Sequence, residues 1–302
     1  MLSARFFRFF RYLNLATLKK TFARAMKRRL MGLSAEMAYN AILALFPAIL
    51  AILTAIGLFE DSLQSTFHNL VGQLSEVAPD AVVELIRQFK AEITRTKSTS
   101  LFSFSFILAI WASSGAMSAA MNAFDQMRKI PPEQARPFWK AKLVSLGLTI
   151  GSILISVLAC FLVFISDWLI KMVVAQSGAS VLLTIWRLLS WPLALGIIAT
   201  GCAFIYRYGP SRWTPGTPIM PGAVLAAIAW AIVSALFRLY VANFGNYNKV
   251  YGAVGAVIVL LLWLYMTSLV LLLGEQLNTT VGEAMQQAKM RNRFIKATKA
   301  KE

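Results

Sequence analysis

Residues 250–277 read VYGAVGAVIVLLLWLYMTSLVLLLGEQL, an apolar run whose only charged residue is Glu275. A helix needs about 20 mostly apolar residues to cross the hydrocarbon core of a bilayer. The run is long enough for this, and it is far longer than the roughly ten-residue strands of a membrane barrel. Because a backbone in lipid must satisfy its own hydrogen bonds, the run predicts a membrane-spanning helix.

The composition of the whole chain indicates a membrane protein as well. Of its 302 residues, 58% are hydrophobic and 14% are charged, whereas soluble domains have about 25% charged residues. The same balance excludes a disordered chain, since disordered segments are polar and highly charged. We therefore predict an all-α fold, a polytopic membrane bundle.

Five further segments are similar to this run in length and polarity. The six predicted spans, at about 33–59, 101–123, 142–166, 181–206, 219–242 and 250–277, make up a transmembrane domain at 31–282. Pro47 and Pro192 lie inside the first and fourth spans, where each removes a backbone hydrogen bond and is expected to kink its helix. The outer loop at about 60–100 has apolar residues at helical spacing, which predicts two short amphipathic helices.

The positive charges predict how the bundle is oriented. The chain has 30 Lys and Arg against 13 Asp and Glu. Most of the Lys and Arg residues fall in the N-terminus, the loops after the second and fourth spans, and the C-terminus. By the positive-inside rule, both termini are cytoplasmic. Most of the net charge of +17 is therefore a topology signal, and nucleic-acid binding is not expected.

The two termini are the predicted contacts with lipid head groups. Residues 1–30 alternate Phe and Leu with basic residues, which predicts a basic amphipathic helix in the inner-leaflet interface, with a mobile basic arm as the alternative. Residues 283–302 form a basic cytoplasmic tail. The expected partners are anionic membrane lipids, which attract such basic segments.

Polar residues in or beside the spans are the candidate functional residues, because charges in a bilayer usually face protein or water. We predict a cluster of Glu36, Asn40 and Glu275 on the cytoplasmic side. Residues 240–252, YVANFGNYNKVYG, form a polar hairpin that is either an aromatic belt or a pore-mouth element. The candidate polar path consists of Glu36, Asn40, Arg238, Asn243, Tyr247, Asn248 and Glu275, and snorkelling of the charged side chains to the interfaces is the alternative.

The segment 238–278 resembles the YihY/BrkB family of bacterial inner-membrane proteins. The resemblance rests on Tyr-x-x-Asn-Phe-x-x-Tyr-Asn-x-x-Tyr-Gly at 240–252, on LWLY at 262–265 and on LGEQLN at 273–278. Other similar stretches are LSAEMAYNAILALFPAIL at 33–50, WASSGAMSAAMNAFD at 111–125 and IYRYGPSRW at 205–213. Glu36 departs from the family pattern, in which a small apolar residue is common. The resemblance implies six spans and an inner-membrane location, and members carry ribonuclease, virulence-factor and transporter labels.

The residues do not favour an enzyme. A metal-dependent nuclease needs clustered histidines and carboxylates, but the single histidine, His68, lies in the predicted outer loop and the cytoplasmic carboxylates are scattered. We expect no catalytic residues, no metal and no cofactor. The leading hypothesis is a transporter or flippase of a lipidic or amphipathic substrate, without nucleotide hydrolysis because no Walker loop is present. The alternative is a membrane scaffold that binds partner proteins or anionic lipid through its basic termini.

Overall fold

The computed structural model describes residues 12–58, 99–177, 180–213, 216–243 and 248–299. Within these ranges the secondary structure is helical and no strand occurs, which confirms the all-α prediction for this part of the chain. The helices are α1 (Leu15–Lys27), α2 (Leu30–Leu58), α3 (Thr99–Met127), a 3-10 turn (Pro132–Gln134), α4 (Phe138–Ser177), α5 (Ser180–Tyr208), α6 (Met220–Asn243) and α7 (Asn248–Lys299). The predicted short helices of the first outer loop lie outside the described residues.

Among the described residues, five helical segments are long and apolar enough to cross a membrane. They are Leu30–Ile52, Ser100–Met127, Phe138–Leu158, Met220–Val241 and Gly255–Arg291. A shorter apolar segment, Pro192–Tyr208, lies in α5 at the predicted fourth span. The structure thus supports a membrane bundle with five candidate spans, and the count of six stays a prediction.

The two prolines of the spans lie inside continuous helices. Pro47 is in α2 and Pro192 is in α5. Each helix extends well beyond its proline on both sides, so neither proline ends its helix. The kinks that we expect at these positions stay a prediction.

The chain forms two compact units, one consisting of Met1–Tyr39 with Ser114–Glu302 and the other of Asn40–Ser113. In the first unit, α6 packs against α5 and α7, α4 packs against α5, and α7 packs against α1. In the second unit, the rings of Phe102 and Phe106 stack with their centroids 5.7 Å apart. The candidate site described below belongs to the first unit.

The start and end of α1 follow from local sequence. Asn14 is the N-cap, and its Oδ1 accepts a hydrogen bond from the backbone N–H of Thr17 at 2.8 Å, which satisfies one of the free N–H groups of the first turn. Arg29 has a left-handed backbone with a φ of 54°, so the chain changes direction there and α2 begins one residue later. The predicted arm at 1–30 therefore contains a helix from residue 15, while residues 1–11 lie outside the described chain.

The core cluster described in the first unit is rich in alanine, which accounts for six of its thirteen buried residues. Its fully or nearly fully buried alanines are Ala25, Ala119, Ala120, Ala123, Ala223 and Ala226. Small side chains allow membrane helices to approach closely. Helices α6 and α7 approach closely, because a methyl group added to Gly222 would overlap the carbonyl oxygen of Gly274.

Candidate functional site

A run of polar residues on α7 is completely enclosed by protein. Glu275, Gln276 and Asn278 have no exposed surface, and Thr280 is 1% exposed. They belong to the stretch GEQLNTT at 274–280, which follows the apolar part of the helix. Buried polar groups require hydrogen-bond partners, so the neighbouring elements determine what this stretch does.

The partner of Glu275 is Arg128, which directly follows α3. Arg128 Nε donates to Glu275 Oε1 at 2.7 Å, and the two side chains are 2% and 0% exposed. Asn278 Nδ2 donates to the other carboxylate oxygen at 3.2 Å. Both oxygens of the buried carboxylate are therefore hydrogen-bonded.

The guanidinium group of Arg128 makes two further contacts. Its Nη2 donates to the backbone carbonyl of Tyr206 at 3.2 Å, and its Cζ lies 5.0 Å from the ring centroid of Trp213. Its Nη1 is buried and has no hydrogen-bond partner among the described residues. The Cζ of Arg207 lies 4.1 Å from the same Trp213 ring, so one indole makes cation–π contacts with two arginines.

Asn278 and Tyr206 connect α7 to α6 and α5. Asn278 Oδ1 accepts a hydrogen bond from the backbone N–H of Gly222 at 2.7 Å. Because Gly222 lies in the first turn of α6, its N–H has no partner within its own helix, and Asn278 caps α6 from the neighbouring helix. Tyr206 Oη donates to the carbonyl of Leu271 at 2.8 Å.

Arg28, between α1 and α2, contacts the same region. Its Nη1 donates to the carbonyl of Met127 at 2.6 Å and to Gln276 Oε1 at 3.0 Å. Burial lowers the pKa of Arg28, nearby Arg24 lowers it further, and Glu283 raises it. We refer to Arg28, Arg128, Tyr206, Glu275, Gln276 and Asn278 as the polar cluster.

The loop after α5 is held against α3, and it carries Trp213. Asp125 Oδ1 accepts from the backbone N–H of Ser211 at 2.7 Å, and its Oδ2 accepts from the Ser211 hydroxyl. Arg136 Nη1 donates to the carbonyl of Gly209 at 2.8 Å. Burial lowers the pKa of Arg136, while Asp125 raises it. These bonds hold the loop in place where Trp213 contacts Arg128.

Of the predicted cytoplasmic group, Glu275 belongs to the polar cluster. Glu36 is exposed in the first unit, and Asn40 is half-buried in the second. The hydrogen-bond partners of Glu275 are Arg128 and Asn278, so neither Glu36 nor Asn40 is one of them.

The other predicted path residues lie near the far end of α6 and the start of α7. Arg238 is exposed, and Leu239 beside it is 57% exposed. For Arg238, both the polar path and the alternative at the membrane interface stay predictions. Asn243 and Asn248 lie in α6 and α7, but their side chains are outside the described ones, and Tyr247 is outside the described residues altogether. Their contribution to a path stays a prediction.

Sequence reasoning assigned Arg128, Tyr206 and Trp213 no role in a site. Arg128 counted only as a topology charge of the loop after the second span. The sequence does contain a signal for this role. A carboxylate buried in a span needs a cation, and a cation beside the end of a neighbouring span can supply it.

Among the described residues, no group of three His, Cys, Asp or Glu side chains could hold a metal ion.

Apolar helices of membrane-spanning length around a buried ion pair define a polytopic membrane protein. The family described as Virulence factor BrkB matches residues 21–297, and the chain belongs to this family. The resemblance to the YihY/BrkB proteins is thereby confirmed.

Several relatives match the chain. The protein YfkH of Bacillus subtilis, which is named ribonuclease-like, is 29% identical over 262 residues, covering 86% of this chain and 93% of the relative. A UPF0761 membrane protein of Cronobacter sakazakii is 24% identical over 272 residues, covering 89% of each chain. Another UPF0761 membrane protein, from Tolumonas auensis, is 35% identical over 107 residues, covering 35% of this chain and 34% of the relative. No solved structure matches the chain.

Proposed function

We propose that this protein moves an anionic amphipathic substrate, such as a phospholipid, across the bacterial inner membrane without nucleotide hydrolysis. The observation that carries the proposal is the Arg128–Glu275 ion pair, buried inside a bundle of apolar helices. Ionisable residues within membrane segments typically belong to substrate or ion pathways. A buried ion pair is in itself weak evidence for stability, which favours a functional reason for it.

The orientation in this proposal follows the positive-inside rule. Both termini are cytoplasmic, and so is the end of the bundle where α3 and α5 end and α6 begins. The polar cluster then lies at the cytoplasmic mouth of the proposed path. A substrate from the inner leaflet would meet Trp213 and Arg207 before it reached Arg128.

The chemistry of the cluster fits an anionic head group. A guanidinium binds a phosphate or carboxylate through parallel N–H donors, and Arg128 has one buried nitrogen without a hydrogen-bond partner among the described residues. A substrate anion that displaced Glu275 would keep Arg128 paired. Glu275 would retain its hydrogen bond from Asn278. An exchange of this kind leaves no bare charge on Arg128 but takes the cation away from Glu275, so the Arg128–Glu275 pair re-forms when no substrate is bound.

We also propose that the protein is not an enzyme. The polar cluster contains a single carboxylate beside arginine, tyrosine and amide side chains. A two-metal nuclease site needs several carboxylate or histidine ligands. The ribonuclease-like name belongs to YfkH, and this proposal does not adopt it for the present chain.

The test is lipid movement in reconstituted liposomes. Purified protein is placed in vesicles that contain a fluorescent phosphatidylglycerol, and the fraction accessible to an external quencher is followed over time. Arg128→Lys keeps the positive charge but removes the planar guanidinium group and its parallel N–H donors. We expect lipid movement to slow about tenfold, since a charge-assisted hydrogen bond contributes ~1.5–3 kcal/mol.

The matched control is Arg212→Lys, because Arg212 is an exposed arginine in the loop that carries Trp213. We expect this variant to match the wild type. The proposal is refuted if folded wild-type protein does not accelerate lipid movement, or if Arg128→Lys is as fast as Arg212→Lys.

The closed packing favours a second candidate, a membrane scaffold. The zero exposure of Glu275, Gln276 and Asn278 is also what a tightly packed structural bundle requires. A scaffold would act through exposed basic residues, which include Lys20 and Lys27 of α1. Charge reversal of both lysines should abolish partner binding by a scaffold and leave a transporter active. Deleting the arm is a poorer test, because α1 buries side chains in the core.

A further inference from the structure

Helix α1 has three different faces. Its buried side chains are Thr17, Thr21 and Ala25. Its large exposed apolar side chains are Leu15, Leu18, Phe22 and Met26, whose spacings of three and four residues place them along one side of the helix. Its exposed cations include Lys19, Lys20 and Lys27, and α1 has no acidic residue.

Contacts at both ends hold α1 against the bundle. Near its start, Tyr12 and Leu13 pack against the buried Leu277 and Val281 of α7. Near its end, Arg24 forms an ion pair with Glu283, with side-chain exposures of 23% and 34%. The apolar side of α1 is therefore fixed in position relative to α6 and α7.

An open apolar groove lies between α1 and these two helices. Its volume is about 510 Å³, and it is lined by Leu18, Lys19, Thr21, Phe22 and Ala23 of α1 and by Leu225 and Leu273 of the bundle. Small-molecule sites in proteins have volumes of ~300–1,000 Å³. Apart from Lys19 and Thr21, the lining side chains are apolar, so the groove fits a hydrocarbon chain.

With the orientation proposed above, the groove lies near the cytoplasmic end of α6. Leu225 is five residues after the first residue of α6, which corresponds to about 8 Å along the helix axis. Amphipathic helices lie about 5–10 Å deep, at the boundary of head groups and acyl chains. An acyl chain in the groove would have its head group beside α1.

The charge of α1 indicates which head group is bound. Lys19 lines the groove with its aliphatic stem, and a lysine in such a place extends its ammonium group to the head-group region. Lys20 adds a second positive charge. Helix α1 itself carries no acid, and Glu283 of α7, which pairs with Arg24, is an acid that interacts electrostatically with Lys20. An anionic phosphate without a compensating choline is the complementary head group.

We propose that the groove between α1, α6 and α7 binds one acyl chain of an anionic phospholipid from the cytoplasmic leaflet, with the head group at Lys19 and Lys20. The bound lipid fills the apolar groove and joins α1 to the bundle. This inference is independent of transport, because a scaffold and a flippase would bind the same lipid here. A binding assay therefore tests it separately from lipid movement.

The experiment is lipid retention measured by native mass spectrometry. Full-length protein is delipidated in detergent and then incubated with equal amounts of phosphatidylglycerol and phosphatidylcholine of the same chain length. We expect the wild type to retain one phosphatidylglycerol in preference to phosphatidylcholine. Equal retention of both lipids, or retention of neither, overturns the proposal.

Two adjacent residues of α6 provide a matched pair of variants. Leu225→Trp places a large side chain in the groove, and we expect the retained lipid to be lost. Val224→Trp makes the same kind of change on a side chain that is 42% exposed and does not line the groove, and we expect retention to be unchanged. If folded Leu225→Trp protein retains lipid as the wild type does, the proposal is wrong.

A double variant tests the same proposal if Leu225→Trp does not fold. Lys19→Glu with Lys20→Glu changes only exposed positions of α1, so the core is undisturbed. We expect the preference for phosphatidylglycerol over phosphatidylcholine to fall at least about fivefold, since one lysine near an anionic surface contributes ~1 kcal/mol. An unchanged preference overturns the proposal.

Discussion

Replacing Gly222 by alanine tests the close contact between α6 and α7. An added Cβ would lie 2.6 Å from the Asn278 amide group and would overlap the carbonyl oxygen of Gly274. Overpacking costs about 1–3 kcal/mol, and losing the Asn278–Gly222 hydrogen bond costs a further ~0.5–1.5 kcal/mol. Alanine regains about 1 kcal/mol of helix propensity over glycine. We therefore expect Gly222→Ala to lower the free energy of unfolding by roughly 0.5–3.5 kcal/mol.

The assay is reversible unfolding in mixed micelles, with thermal denaturation as a second readout. The control is Gly147→Ala in α4, because a Cβ at Gly147 meets no atom within 4 Å. This control should be neutral or stabilised by up to about 1 kcal/mol. Equal stabilities of the two variants would refute the packing argument, since both gain the same helix propensity and only Gly222→Ala meets a neighbouring backbone.

Three other substitutions test the polar contacts by the same unfolding measurement. Arg128→Ala leaves the Glu275 carboxylate buried without its cation and should lower the free energy of unfolding by about 3–5 kcal/mol. The double variant Arg128→Ala with Glu275→Gln should recover part of this loss. No recovery would contradict the pairing of the two residues. Tyr206→Phe removes the hydrogen bond to the α7 backbone and should cost about 0.5–1.5 kcal/mol. Asn14→Ala removes the α1 cap and should cost about 1 kcal/mol, while Asn14→Ser should be nearly neutral.

The helices were predictable from the sequence because their signal is local. A membrane span is recognised from a single run of apolar residues, and five of the six predicted runs coincide with candidate spans. For the fourth run, the apolar segment among the described residues is the shorter Pro192–Tyr208. The boundaries of the helices extend past the apolar runs, as in α7, which continues to Lys299.

The candidate site was predictable only in part because its partners are far apart in the chain. Glu275 stood out as a charge within a span, and it does lie in the polar cluster. Its partner Arg128 is 147 residues away, and no local pattern links the two. Glu36 had an equally strong local signal, but α2 directs its side chain to the surface. The position of each charge within an apolar run was readable from the sequence, whereas the direction in which its side chain points was not.

The cap that Asn278 provides for α6 bears on the order in which the chain assembles. A chain emerges from the ribosome N-terminus first, so α3, α5 and α6 are made before residues 275–278 exist. Until α7 arrives, Arg128 has no carboxylate partner and the N–H of Gly222 has no amide oxygen to accept its hydrogen bond. Glu275 and Asn278, three positions apart on α7, supply these two partners. Insertion of α7 is thus the step that pairs Arg128 and caps α6, and a chain truncated before Glu275 would leave both groups without these partners.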